Sequence, residues 1–394
     1  MSKRPQTHDI VVTGVGITPV GEHWDKQLRT LALDAISAAR KDAGDLVPEA
    51  IYVANTLAPI LSSQSQLGAL VADFAGLRGV EAFTVEAAGA SGGAAVRQAY
   101  LALQSGHIDV ALVVGVEKIS ERPSSELETA LAISNDADYE SIHGTTSAAQ
   151  AALLMKRYFH EFDTPEYAFA GFCLNAHANG ADNPQAMFRR ALDAKSYEQA
   201  PMICPPVNMF DAAPIADGAA ALLLARADIL PQSPSHPPVR ILASSVATST
   251  VALHDRPNPL SLAAATDSAS KAYALAKTKP EDIQLFELHD RFSIFAALAL
   301  EASGFARPGE GWRLASNGDI YRDGSIPICT FGGSKARGDS GGATGVYQIA
   351  EVALQLQGRA GKNQITDARI GMAQCLGGTG ATAATHILER MESS

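Results

Sequence analysis

Fully apolar runs too short to be helices recur along the chain: DIVVTGVGI over 9–17, DVALVVGV over 109–116 and GAAALLLA from Gly218. A strand that is apolar on both faces has to lie in a sheet covered on both sides, because an exposed face would alternate with polar residues. Alanine-rich stretches with apolar residues at helical spacing stand between the strands, over 31–43, 67–74 and 94–103, and shorter strands are expected at 51–54 and 82–85. This order is that of an α/β protein. From Glu117 to about Pro206 the rhythm breaks into polar helices and loops. After a Pro/Ser-rich stretch, LPQSPSHPP, it restarts with strands at 239–246, 283–288, 369–373 and 382–388 and helices at 263–276 and 292–302. The Pro/Ser stretch reads as a linker between two halves, 1–235 and 236–394, with an inserted loop domain at about 117–206.

Composition narrows the classes of function. With 394 residues, 46% of them hydrophobic and 19% charged, the chain has ample material for a large core and is not a disordered segment. A formal charge of -11 argues against nucleic-acid and anionic-membrane partners, so an anionic ligand needs a local basic patch. The four cysteines, Cys173, Cys204, Cys329 and Cys375, have neither metal-ligand nor disulfide-framework spacing, and no metal is expected. The opening MSKRPQTHDI has no apolar signal region, no apolar run reaches the ~20 residues of a bilayer span, and the closing MESS is not a peroxisomal address. A cytoplasmic protein is expected.

One internal echo points to duplication. GASGGAAVRQAYLALQSG from Gly89 resembles GDSGGATGVYQIAEVALQLQG from Gly338, each a Gly/Ser turn feeding an amphipathic helix. Glycine turns of this kind bring backbone N–H groups close to a ligand that develops negative charge. Neither the GxxxxGK[ST] phosphate loop nor a GxGxxG after the first strand is present.

VEAAGASGGAA from Val85, GVEK from Gly115, DGAAALLLA from Asp217, ELHD from Glu287, GGSKARGDSGGATGVYQ from Gly332 and CLGGTGATAATHIL from Cys375 together resemble the thiolase superfamily. The branch is similar to the sterol-carrier thiolases and their bacterial and archaeal relatives. The resemblance implies two pseudo-repeated βαβαβαββ halves in a five-layer αβαβα sandwich, with a loop domain inserted in the first half. It also implies that the nucleophilic cysteine of the family is replaced by Gly89 and a histidine of the KARG motif by Asp339. His289 falls on an oxyanion-hole position and Cys375 on that of the acid/base cysteine. The backbone N–H groups of Gly89 and Gly377 would form a second oxyanion hole.

Glycine cannot be acylated, and a carboxylate beside a thiol raises its pKa, so ping-pong acyl transfer through residue 89 is not possible in this sequence. The groups that hold an enolate and move a proton remain. Aldol or retro-aldol chemistry on a CoA thioester therefore leads, through His289, Cys375 and Asp339. Two alternatives stay open: a β-ketoacyl-CoA thiolase whose cysteine has been replaced by Gly89, and a non-catalytic thiolase-like scaffold. His143, Arg189, Arg190, Lys335 and Arg337 are candidate substrate and CoA contacts, with His177 a further residue of the loop segment. No bound cofactor is expected, and the CoA thioester is substrate. As partners the resemblance implies a homodimer or dimer of dimers and a small, separately encoded OB-fold, zinc-ribbon protein.

Overall fold

Strand β1 (Ile10–Ile17) is buried along most of its length, and its glycines set how closely helix α1 (Leu28–Asp42) lies on it. A Cβ at Gly16 would sit 2.1 Å from the Ala35 carbonyl oxygen, so only glycine allows this approach. The computed structural model describes residues 8–44, 46–230 and 236–392. The first half continues as β2 (Ala50–Ala54), α2 (Ala58–Leu61), α3 (Leu67–Phe74), β3 (Glu81–Val85), α4 (Ser91–Ser105) and β4 (Val110–Glu117). An insertion follows, with helices α5 (Ser124–Leu131), α6 (Ser147–Phe162), α7 (Ala170–Asp182) and α8 (Ala194–Glu198) and the ribbon β5 (Met202–Cys204) with β6 (Val207–Asn208). Strand β7 (Gly218–Arg226) closes this half.

The second half is β8 (Val239–Thr248), α9 (Ala263–Ala276), β9 (Leu285–Leu288), α10 (Ser293–Ala302), α11 (Gly311–Asn317), α12 (Thr344–Leu356), β10 (Ile370–Gly377) and β11 (Thr382–Arg390). Most of the expected linker, residues 231–235, lies outside the described residues.

Nine strands form one mixed sheet in the order β3-β2-β4-β7-β1-β8-β11-β10-β9. The halves meet at β1 and β8, which share only the pairs Val11–Arg240 and Val12–Val239. Helices α4 and α12, the two echoed segments, pack on each other and on strands of both halves. All thirteen residues of α12 are buried. One apolar cluster surrounds this central pair, a second lies between the first-half strands and α1 and α3, and a third lies under α9 and α10. The two halves of the sheet, five strands and four, thus enclose α4 and α12 between them, and the layers are helix, sheet, helix, sheet, helix, the expected five-layer thiolase fold.

One element departs from the expected repeat. The third strand of the second half is reduced to a single parallel bridge between Phe286 and Ile328. Pro327 has no N–H to donate, and Cys329 turns the chain with φ of 48°, so no ladder extends. At the other edge of the sheet β3 is largely exposed, with Phe83 stacked on Tyr52. Among the described residues no helix is long and apolar enough to cross a membrane.

Candidate functional site

The candidate site gathers where the parallel strands β2, β3, β9 and β10 end, the usual place for ligands in an open α/β sheet. There the turn before α4, the end of β9, the loop before α12 and the end of β10 enclose a cavity of about 30 Å³. Gly89, His289, Arg291, Asp339, Thr56 and Gly378 are among its lining residues. It holds about one water molecule.

The turn carrying Gly89 is strained and braced. Ala88 has φ of 50°, a left-handed conformation that costs an alanine roughly 1 kcal/mol or more. Its carbonyl accepts from Thr56 Oγ1 at 3.0 Å and Ser91 Oγ at 2.6 Å, and its N–H donates to Glu86 at 2.6 Å. Thr56 is in turn held by Glu117, a wholly buried carboxylate at the end of β4. Glu117 accepts from Asn55 Nδ2 at 2.7 Å and from the N–H groups of Thr56, Leu57 and Gly342 at 3.0, 3.0 and 2.9 Å. Burial pushes its carboxyl up to about 7, against the pull of these four donors. One carboxylate thus ties the loop after β2 to the turn before α12, across the two halves.

Burial in low dielectric holds the imidazole of His289 below its ordinary value, with Asp339 pulling the other way. Its Nδ1 has no hydrogen-bond partner among the described residues. A Cβ added to Gly89 would lie 2.9 Å from His289 Cε1, 3.5 Å from Nε2 and 2.6 Å from the Leu376 carbonyl oxygen. The ring therefore fills the space over Gly89.

Asp339 is 4% exposed, and its Oδ1 accepts from the Gly341 N–H at 3.2 Å and Thr344 Oγ1 at 2.9 Å, just before and at the first residue of α12. Its Oδ2 faces Arg291 Nε at 3.2 Å. Sequence reasoning passed over Arg291, Thr56 and Glu117, although Arg291 directly follows ELHD and Glu117 ends an otherwise apolar run.

Cys375 does not line this cavity, which corrects its expected role as the acid/base cysteine. Along β10 the residues alternate: Met372 and Leu376 pack under α9 and α10, while Ala373 and Cys375 face the central helices. The Cys375 sulfur is fully buried, 3.0 Å and 2.8 Å from where Cβ atoms at Gly93 and Gly345 would lie, and burial pushes its thiol up to about 12. Gly377 stands beside the cavity, its α-carbon against the Ala87 carbonyl, where a Cβ would come within 2.4 Å.

A second, larger cleft of about 1050 Å³ opens next to the first. Exposed Arg189 and Arg190, together with Lys335 and His177, line it. Lys335 is buried and its Nζ donates to the Asp211 carbonyl at 2.6 Å. His177 stacks on Phe188 with centroids 6.0 Å apart. The wall 212–214 joins cleft and cavity: the Ala213 N–H donates to the Arg291 carbonyl and the Asp339 N–H to that of Pro214, at 2.8 and 2.9 Å.

The other two expected contacts lie elsewhere. His143 is exposed on a single turn outside both spaces. Arg337 is 1% exposed, with Nη1 at 2.6 Å from Glu351 Oε2 and its guanidinium over the Tyr347 ring, so it is spent inside the core and cannot meet a phosphate. Among the described residues no cluster of three or more His, Cys, Asp or Glu is arranged to hold a metal.

The glycine turns at Gly89 and Gly338, the buried His289 and the repeated half-fold are features of a protein of the thiolase class. The family description "Thiolase, N-terminal domain" matches residues 10–198, and "Thiolase C-terminal domain-like" matches residues 245–390. An acetyl-CoA acetyltransferase of Methanothermobacter thermautotrophicus is 39% identical over 97% of this chain and 100% of its own. One of Methanocaldococcus jannaschii is 32% identical over 96% of this chain and 98% of its own. The chain belongs to the thiolase family. Among solved structures, the "Ltp2-ChsH2(DUF35) aldolase" has the same fold, with a TM-score of 0.81 at 22% identity over 97% of this chain and 98% of that one.

Proposed function

We propose that the protein makes or breaks a carbon–carbon bond on an acyl-CoA thioester by non-covalent aldol or retro-aldol chemistry through the thioester enolate. The observation that carries this reading is residue 89: it has no side chain to acylate, and the space for one is filled by His289. The only thiol in a nearby motif, Cys375, is buried away from the cavity and is held protonated at neutral pH.

In the cleavage direction Asp339 Oδ2 takes the proton of the β-hydroxyl. The C–O bond becomes a carbonyl, the electron pair of the Cα–Cβ bond moves onto the thioester as its enolate, and the proton returns to Cα. Nothing is oxidised or reduced. A neutral His289 with its proton on Nε2 and the amide of Gly89 hold the enolate oxygen, in a space too small for bulk water. The CoA moiety occupies the larger cleft, where Arg189, Arg190 and Lys335 supply the positive charge that the acidic chain as a whole lacks.

A homodimer or dimer of dimers, and a small partner of the OB-fold, zinc-ribbon kind, belong to the same reading. The two-part name of the aldolase with this fold supports the partner. The names of the two archaeal relatives favour a second reading, acyl transfer between acyl-CoA and CoA. Incubation with β-hydroxyacyl-CoA and β-ketoacyl-CoA thioesters, with and without free CoA, separates the two. Release of an aldehyde or ketone and a shortened acyl-CoA without free CoA supports the aldolase; cleavage of β-ketoacyl-CoA only when CoA is added overturns it.

A further inference from the structure

Among the described residues Arg291 is the only cation that lines the small cavity. Its side chain is 21% exposed, and its Nε lies 3.2 Å from Asp339 Oδ2. Among the described residues no acceptor hydrogen-bonds Nη1 or Nη2. A guanidinium presents its N–H groups on fixed edges of a plane, so an ion pair through Nε leaves the Nη1–Nη2 end with two parallel donors. That end matches the two oxygens of a carboxylate, the pairing in which arginine differs most from lysine. The backbone cannot withdraw it either, since the Arg291 carbonyl is fixed by the Ala213 N–H at 2.8 Å.

The Asp339 oxygens lie toward other groups: Oδ1 accepts from Gly341 and Thr344, and Oδ2 lies against the Nε side. On a chain of net charge -11 an anionic acyl group needs a local cation beside it. Gly89 and His289 line the same small space as Arg291, so a group held by Arg291 lies beside the residues that would hold the thioester oxygen.

We propose that the free end of Arg291 is a subsite for a carboxylate carried on the acyl group, and that the protein takes short, carboxylated acyl-CoA thioesters. This rests on the reading of the cavity as the acyl-CoA site, and not on which reaction follows there.

Titration calorimetry with succinyl-CoA, butyryl-CoA and CoA tests it, because the two thioesters differ only in carboxylate against methyl. The native protein should bind succinyl-CoA about tenfold or more tighter than butyryl-CoA. Arg291→Met should abolish that preference and leave butyryl-CoA binding within about threefold. Arg291→Lys, which keeps the charge without the fork, should restore only part of it and stands in if the Met variant does not fold. Equal binding of the two thioesters by the native protein, or a preference that survives in both variants, overturns the subsite. So does an equal loss for both thioesters in the variants, which would mean that Arg291 holds the oxygen they share. If neither thioester binds better than CoA alone, the acyl-CoA reading of the cavity fails and the subsite with it.

Discussion

Residue 89 and the imidazole of His289 compete for one volume, since a Cβ on the glycine would stand 2.9 Å from Cε1 of the ring. Neither neighbour gives way cheaply: the second contact, at 2.6 Å, is with the backbone carbonyl of Leu376. Gly89→Ala should therefore lower stability by about 1–3 kcal/mol, as overpacking does in well-filled sites. Urea unfolding measures it, and an unchanged midpoint would show that His289 swings aside freely.

His289 stands at the end of a buried strand with its ring over Gly89, so its removal should act on chemistry and leave the fold intact. His289→Ala should cut turnover of any accepted thioester by about 10²–10³, mainly in kcat. His289→Asn should keep part of the rate, because an amide can still donate. Turnover close to the native value in the alanine variant would remove this residue from the mechanism.

Glu117 satisfies four N–H donors from two segments, 55–57 and Gly342, and no cation lies among its partners. Glu117→Gln turns one acceptor into a donor facing other donors, so at least one buried group loses its bond. A loss of about 1–3 kcal/mol is expected, with a lower Tm in calorimetry. A Tm unchanged from the native protein would mean that the loop after β2 re-pairs without this carboxylate.

His386 is fully buried in β11, bonded through Nε2 to the Gly93 carbonyl at 3.0 Å, and burial lowers its pKa from 6.5 to about 4. Above pH 6.5 it is neutral in both folded and unfolded chains. On acidification the unfolded chain takes up the proton first, so this residue's share of stability falls between about pH 6.5 and pH 4 and is constant below. That share is on the order of 3 kcal/mol. His386→Gln keeps a donor for Gly93 and cannot titrate. Unfolding free energies at pH 7 and pH 4 should converge between the two proteins by about that amount, and parallel pH profiles would count against it.

The exposed edge of β3, with Phe83 at 53% exposure, is an apolar strand edge of the kind that pairs with another chain. Light scattering at micromolar concentration should give the mass of a dimer, and Phe83→Lys should shift it toward the monomer. A monomeric mass for the native protein would refute pairing through this edge.

Much of the fold was legible because its signals are local. Apolar runs such as DVALVVGV and the Gly/Ser turns at Gly89 and Gly338 mark the buried strands and the starts of the paired central helices, and the structure has them there. The second-half strand at Ile328 was not legible, because a proline and a left-handed Cys329 cut it to one bridge. Of the site, His289, Asp339 and Gly89 could be named from motifs. Arg337 could not be told from Lys335, two residues away in the same motif: one is spent on Glu351 in the core and the other lines the large cleft.

The sequence by itself determined the class of fold and the absence of a nucleophile at residue 89, because apolar periodicity and the identity of one residue need no partner to be read. Only the tertiary structure decided which chemistry-bearing side chains meet. Cys375 was turned toward the central helices by the alternation of β10, while Thr56, Glu117, Arg291 and Asp339, far apart in the chain, were brought together. The physical reason is that a side chain's direction and its partners depend on which strand ends converge. Convergence is fixed by how the two halves pack on α4 and α12, a long-range relation that no local stretch of sequence carries.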